Sequence, residues 1–356
     1  MTVIKQNIRD MAPYAVPQDF PGIKLNQNES AIDLPVELKD EISRILRKVA
    51  WNRYPPDYPE ALLESISHYA QFPAAGILAG NSSNELIQVI IQACCDSGDQ
   101  ILTVTPTFSV YERAAHVMNI PTVQVPLKED FSFDVHLLKK KIQESRKLKA
   151  VILTSPNNPS GTIIDIPSIQ EIAEGFPGLV VIDEAYFEFF RQTAAGLIKK
   201  CSNIVVLRTF SKALRGAGIR LGYLLADPRV IEELKKVKLP FSVGTFQQVA
   251  GQVILKNYNL LESHIQDLLS ERARVMSVFD SIPAVVPVPS QANFILFRCE
   301  ACAAEEIYRG LFRQGVLLRS YKSPALKNML RVTIGTEAEN TLFLEKLEKV
   351  IEEVSS

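Results

Sequence analysis

Between about residue 60 and residue 245 the chain alternates short apolar runs with longer amphipathic stretches, and this pattern constrains the fold more than any other feature. The runs occupy 76–79, 101–104, 122–125, 150–153, 179–182, 204–207 and 221–225, each closed by Gly, Pro, Ser, Asp or another small or polar residue. Most lack the polar alternation of a sheet with one wet face, so both faces must be covered, and the amphipathic stretches between them supply the covering helices. The pattern predicts an α/β fold with a mostly parallel sheet. Ligands of such sheets bind beyond the carboxyl ends of the strands, so the residues just after each run are the ones to read for chemistry.

A second pattern starts at about 246. A long helical stretch runs through Glu271-Arg272-Ala273-Arg274 to a proline-rich break at 282–290, followed by strand-like 294–297, helical 304–314, strand-like 330–334 and a final helix. This predicts a smaller α+β domain, and 356 residues suit two domains better than one core. The expected division is an arm at 1–28 joining the small domain, a large domain at 29–245 and the small domain at 246–356.

Charge argues against nucleic acid as a partner, because 39 Lys and Arg nearly cancel 40 Asp and Glu and no long basic run exists. The first ten residues contain no apolar signal core, and no stretch of about 18 apolar residues occurs, which predicts a cytoplasmic protein without a membrane partner. Cys94 and Cys95 sit in an apolar helical stretch and are expected as buried reduced thiols. Cys299-x-x-Cys302 has no second pair and no nearby histidine, so no metal is expected there.

Three strand exits carry candidate chemistry. After 76–79 come Gly80-Asn81-Ser82-Ser83-Asn84-Glu85, in which Ser82-x-x-Glu85 has the form of a capping box. A helix starting there turns its free N–H groups outward, as an ordinary cap or as a phosphate site. After 179–182 comes Asp183, a carboxylate costly to bury without a partner, which suits a protonated ring nitrogen, a metal or a structural ion pair. After 204–207 comes Arg208-Thr209-Phe210-Ser211-Lys212, leading through small residues to Arg220.

Together, Ser-Pro-Asn-Asn-Pro-Ser-Gly at 155–161, Asp-Glu-Ala-Tyr at 183–186 and Thr-Phe-Ser-Lys at 209–212 with Arg220 resemble, in order and spacing, the motifs of fold-type I aminotransferases of classes I and II. The resemblance runs through nearly the whole chain. Lys24-Leu25-Asn26-Gln27-Asn28-Glu29, Asn52-Arg53-Tyr54-Pro55 and the pair Arg319 and Arg331 look most like the branch that uses histidinol phosphate. The resemblance implies pyridoxal 5'-phosphate as cofactor, held by Lys212 as a Schiff base, with Lys212 also the catalytic base. It implies Asp183 against the pyridine nitrogen, Asn158 and Tyr186 on the phenolic oxygen and Phe108 stacked on the ring. The phosphate would meet Ser83, Asn84, Thr209, Ser211, Arg220 and, from the second subunit of a homodimer, Tyr54. Arg331 and Arg319 would bind substrate, an amino donor or a 2-oxo acid acceptor. Arg220 is expected to favour the neutral form of Lys212.

The sequence departs from the family pattern in places. Ser82 replaces a frequent glycine, Phe108 a frequent tyrosine, and 238–244 lacks the asparagines usual in histidinol-phosphate enzymes. Another class I/II aminotransferase, acting on aromatic or other amino acids, and the similar threonine-phosphate decarboxylase are the alternatives.

Overall fold

The computed structural model describes residues 3–13, 20–300 and 302–355, so part of the expected N-terminal arm, 14–19, lies outside the described residues. All seven apolar runs are strands of one sheet, in the spatial order Ile77–Gly80, Gly222–Ala226, Ile204–Thr209, Leu179–Asp183, Leu148–Thr154, Gln100–Thr105 and Thr122–Pro126. Neighbours are parallel except Gly222–Ala226, which runs antiparallel to both of its partners.

The continuous apolar runs have a direct physical reason. Alternate residues point to opposite faces, and each face has its own core. Leu102, Val104, Val151, Leu153, Val180, Ile182 and Val206 pack on one side with Leu62, Ile66 and Phe210. Ile101, Ala150, Ile152, Val181, Val205 and Leu207 pack on the other with Leu86, Ile90 and Tyr111. Each fully buried Leu or Ile contributes about 1.5–3 kcal/mol, so a polar residue on either face of a central strand would be costly.

This arrangement gathers the site. Thr105, Thr154, Asp183 and Thr209 end parallel strands on one edge, and the register sets Gly80 and Thr209 on either side of Gly222. Arg220, just ahead of the antiparallel strand, therefore reaches the same edge as the exits of the parallel ones.

The second unit is a four-stranded antiparallel sheet, Arg319–Ser320, Met329–Thr333, Phe294–Cys299 and Val285–Pro287. Helices Asn259–Ser281, Ala304–Arg313 and Glu337–Ser355 pack with it around Phe279, Phe297 and Phe343. Ile23–Lys24 pairs in parallel with Val316–Leu317, and Thr333 N–H donates to the Leu25 carbonyl, so the segment from 23 docks on this unit before crossing to the site.

The expected start of the second domain at 246 requires correction. Helix Thr245–Lys256 packs on Val36–Leu46 and Glu60–Ala70 and buries Ala250, Val253 and Ile254 in the core of the large sheet. The chain enters the second unit with Asn259–Ser281. Cys94 and Cys95 are half-buried rather than buried, and all five cysteines are free. Among the described residues, no helix is long and apolar enough to cross a membrane.

Candidate active site

A cavity of about 1060 Å³ opens at the strand exits between the two units. Ser83, Asn84, Phe108, Asn158, Asp183, Tyr186, Thr209, Ser211, Lys212, Arg220, Arg319 and Arg331 all line it. Tyr54 does not: it is 82% exposed and stacks on Phe241 at 4.7 Å.

Asp183 is the last residue of its strand and is 2% exposed. Its Oδ2 accepts from the Tyr111 hydroxyl at 2.6 Å and its Oδ1 from the Ala185 N–H at 3.0 Å. Both donors are neutral, and burial pushes the carboxyl up to about 6 despite them. The adjacent Glu184 takes the opposite course. Its Oε2 accepts from Arg208 at 2.9 and 3.1 Å, and the pair is buried. Glu184 is a structural ion pair beneath the site, whereas Asp183 faces the cavity and forms no ion pair among the described residues.

Lys212 Nζ donates to the Gln27 carbonyl at 3.0 Å. Burial foremost, then the positive charge of Arg331, lowers its amine to about 8. Arg220 acts in the same direction, as expected, but less than Arg331.

The Tyr186 hydroxyl accepts from Asn28 Nδ2 at 2.9 Å and Asn158 Nδ2 at 3.2 Å. With two amide donors on its oxygen, its own proton is left to be given to a ligand. Burial raises its pKa to about 12, so it stays a donor at neutral pH.

The loop at Asn81 departs from a regular capping box. Ser82 is in the left-handed region (φ 63°), which accounts for a glycine being comfortable there, and its Oγ accepts from Asn84 N–H at 3.3 Å, not from Glu85. Glu85 caps one residue earlier than expected, accepting from Asn81 N–H at 2.5 Å. Helix Ser82–Cys94 thus turns its amino end to the cavity beside Thr209, Ser211 and Arg220, the composition of an anion site. Gly222 makes the close approach possible, since a Cβ there would lie 2.5 Å from Ser83 N.

Across the cavity, Arg319 and Arg331 are direct partners on neighbouring antiparallel strands, so their side chains share a face. Arg331 is 5% exposed. Its guanidinium donates to Asn158 Oδ1 at 2.6 Å and to the Asn26 carbonyl at 2.8 Å, while among the described residues its Nε has no hydrogen-bond partner and it forms no ion pair. Opposed cations repel, and a buried one without an acid is expensive. An anionic ligand between them would relieve both costs.

Sequence reading missed Tyr111, Asn26 and Asn28. A tyrosine in an apolar helix reads as core, and nothing in its neighbourhood announces a partner 72 positions away.

The family model for class I and II aminotransferases matches residues 21–347. The histidinol-phosphate aminotransferase of Chlorobium phaeovibrioides is 38% identical over 350 residues, 98% of this chain and 96% of that one. That of Prosthecochloris aestuarii is 36% identical over 330 residues, 92% of each chain. The structure of histidinol-phosphate aminotransferase from Sinorhizobium meliloti in complex with pyridoxal-5'-phosphate superposes with a TM-score of 0.90 at 21% identity, covering 99% of both chains, and so shares the fold.

Proposed function

The chain belongs to the class I and II aminotransferases, and from that premise we propose that it moves the amino group of histidinol phosphate to 2-oxoglutarate, with pyridoxal 5'-phosphate as cofactor. The observation that carries the choice of donor is the opposed pair Arg319 and Arg331, two cations facing the cavity that form no ion pair among the described residues. Histidinol phosphate offers it a phosphate and 2-oxoglutarate a carboxylate, and planar guanidinium groups grip both through paired oxygens. The sequence relatives at 36–38% identity carry the same name.

The residues fit the cofactor. Asp183 is a buried carboxylate lacking a cation, the Tyr186 hydroxyl has a proton to give, and the helix end at Ser83 and Asn84 with Thr209, Ser211 and Arg220 suits a phosphate. When bound, pyridoxal 5'-phosphate supplies an electron sink for the substrate Cα. Asp183 holds a proton on the pyridine nitrogen, because an anion fixed against that atom stabilises its protonated form. Tyr186 and Asn158 would hold the phenolic oxygen, and Phe108 would pack on the ring. Lys212 would anchor the cofactor, and its Nζ, when neutral, would be the base that takes the Cα proton. Burial and the charge of Arg331 keep that amine neutral at lower pH than an ordinary lysine.

The working unit in this reading is a cytoplasmic homodimer. Tyr54 is largely exposed on its own chain, stacked on exposed Phe241, and it would complete the phosphate site of the neighbouring subunit.

A donor panel on the purified, cofactor-loaded protein tests the proposal. Histidinol phosphate should be the preferred donor, forming one glutamate from 2-oxoglutarate per donor consumed. Preference for phenylalanine would reject the donor but keep the aminotransferase, and carbon dioxide release from threonine phosphate without loss of 2-oxoglutarate would reject transamination.

A further inference from the structure

Tyr111 lies in the first turn of helix Val110–Val117, completely buried, with its hydroxyl 2.6 Å from Asp183 Oδ2 and 2.8 Å from Thr154 Oγ1. Its ring stands edge-on to Phe108, the proposed stacking residue, at 5.6 Å. We propose that Tyr111 is a positioning residue that holds Asp183 as an aligned, ionised carboxylate for the ring nitrogen of the cofactor. This rests on the reading that Asp183 faces that nitrogen.

The hydrogen-bond inventory sets the direction of the chain. An ionised carboxylate only accepts, so Tyr111 gives its single proton to Asp183, and Thr154 must then donate to the Tyr111 oxygen. Thr154 and Asp183 are direct partners on neighbouring strands and Tyr111 is on a helix, so all three groups are held by regular elements rather than by loops. One neutral donor per carboxylate oxygen, Tyr111 on Oδ2 and the Ala185 N–H on Oδ1, fixes the carboxylate plane without supplying a competing positive charge. A lysine or arginine there would neutralise the acid and weaken its hold on the ring proton. Burial alone favours the protonated acid, and the Tyr111 hydroxyl is the largest contact acting against it.

Removing the hydroxyl leaves Asp183 with one donor in a dry site. The carboxyl then competes more strongly for the proton it should leave on the ring. The effect falls on proton placement rather than substrate affinity, because Tyr111 approaches the cavity from the Asp183 side, away from Arg319 and Arg331.

The test is ring-nitrogen 15N NMR of the holoenzyme loaded with 15N-labelled pyridoxal 5'-phosphate, with kcat and KM measured alongside, for wild type, Tyr111→Phe, Thr154→Val and Asp183→Asn. In Tyr111→Phe the 15N resonance should move toward that of neutral pyridine, with kcat down about tenfold and KM within about twofold. Thr154→Val, which keeps the shape and removes the donor behind Tyr111 together with a longer 3.4 Å contact to Thr107, should shift the resonance the same way by less. An unmoved resonance and kcat within twofold in Tyr111→Phe would overturn the inference. If Tyr111→Phe fails to fold, an unmoved resonance in Thr154→Val overturns it equally. Asp183→Asn separates the two readings: an unchanged resonance there rejects Asp183 itself as the ring partner, whereas a shift there with none in Tyr111→Phe rejects only the role of Tyr111.

Discussion

Replacing Arg319 by alanine should lower activity toward histidinol phosphate while leaving stability intact or improved. Arg319 faces Arg331 across an antiparallel ladder, and like charges in that position cost about 0.2–1 kcal/mol. Among the described residues it forms no salt bridge, and its guanidinium carbon stands 5.9 Å from the centre of the Tyr321 ring. Loss of Arg319 therefore relieves repulsion and leaves no acid stranded. A charge-assisted hydrogen bond contributes about 1.5–3 kcal/mol, and the partial exposure of Arg319 puts its phosphate contact at the lower end. At about 1.4 kcal/mol per factor of ten, Arg319→Ala should lose about tenfold in kcat/KM for histidinol phosphate. Phenylalanine, whose carboxylate needs only the deeper Arg331, should lose less than about twofold by the same conversion. The assay is kcat/KM for both donors at one fixed ionic strength, since salt screens the exposed arginine. A thermal melt should show Tm unchanged or higher by about 1–2 °C. An unchanged donor ratio, or a Tm lower by several degrees, would show that Arg319 supports the fold instead of gripping phosphate.

The remaining predictions concern the acids, bases and assembly of the site. Competitive acetylation of the cofactor-free protein, read by peptide mass spectrometry across pH, should give Lys212 a midpoint near 8; a midpoint near the ordinary 10.5 would refute the effect of burial and Arg331. Asp183 sits at about 6 when folded against 3.8 ordinarily, so between these values the folded cofactor-free chain keeps a proton that the unfolded chain has lost. Its unfolding free energy should thus fall by about 2 kcal/mol from pH 4 to pH 6 relative to Asp183→Asn, measured by denaturant melts, and equal slopes would contradict the burial argument. The loaded Asp183→Asn enzyme should lose about 3–5 kcal/mol of transition-state stabilisation, and near-normal turnover would remove Asp183 from the mechanism. Light scattering should find a dimer, and Tyr54→Phe should release cofactor faster at unchanged Tm; a fully active monomer would contradict the shared site.

Most of the seven strands were legible because they are buried on both faces, which forces a continuous apolar run; the edge strand Thr122–Pro126 buries only Val125. Helix Thr245–Lys256 was read as a helix but assigned to the wrong unit, since an apolar stripe does not say which core it will meet. The two-residue pairing of Ile23–Lys24 with Val316–Leu317 is too short to leave a period. Lys212 and Asp183 could be found because they stand where strands end, in motifs with recognisable neighbours. Arg319 and Arg331 were visible as a pair flanking a loop, but their opposition on one face is a matter of strand register, which sequence spacing does not give. The displaced cap at Ser82 follows from a left-handed backbone that no side chain announces. Tyr111 and Asn28 remained hidden for a simpler reason: what they do depends on Asp183 and Tyr186, far along the chain.

The central claim is that one lysine is both the cofactor anchor and the proton-transferring base. Borohydride reduction of the loaded protein, followed by peptide mapping, tests it most directly. The expected result is one pyridoxyl group per chain, on Lys212 alone, with Lys212→Ala unlabelled and inactive. A reduced pyridoxyl group on any other lysine of the wild type, or sustained glutamate formation by Lys212→Ala, would contradict it.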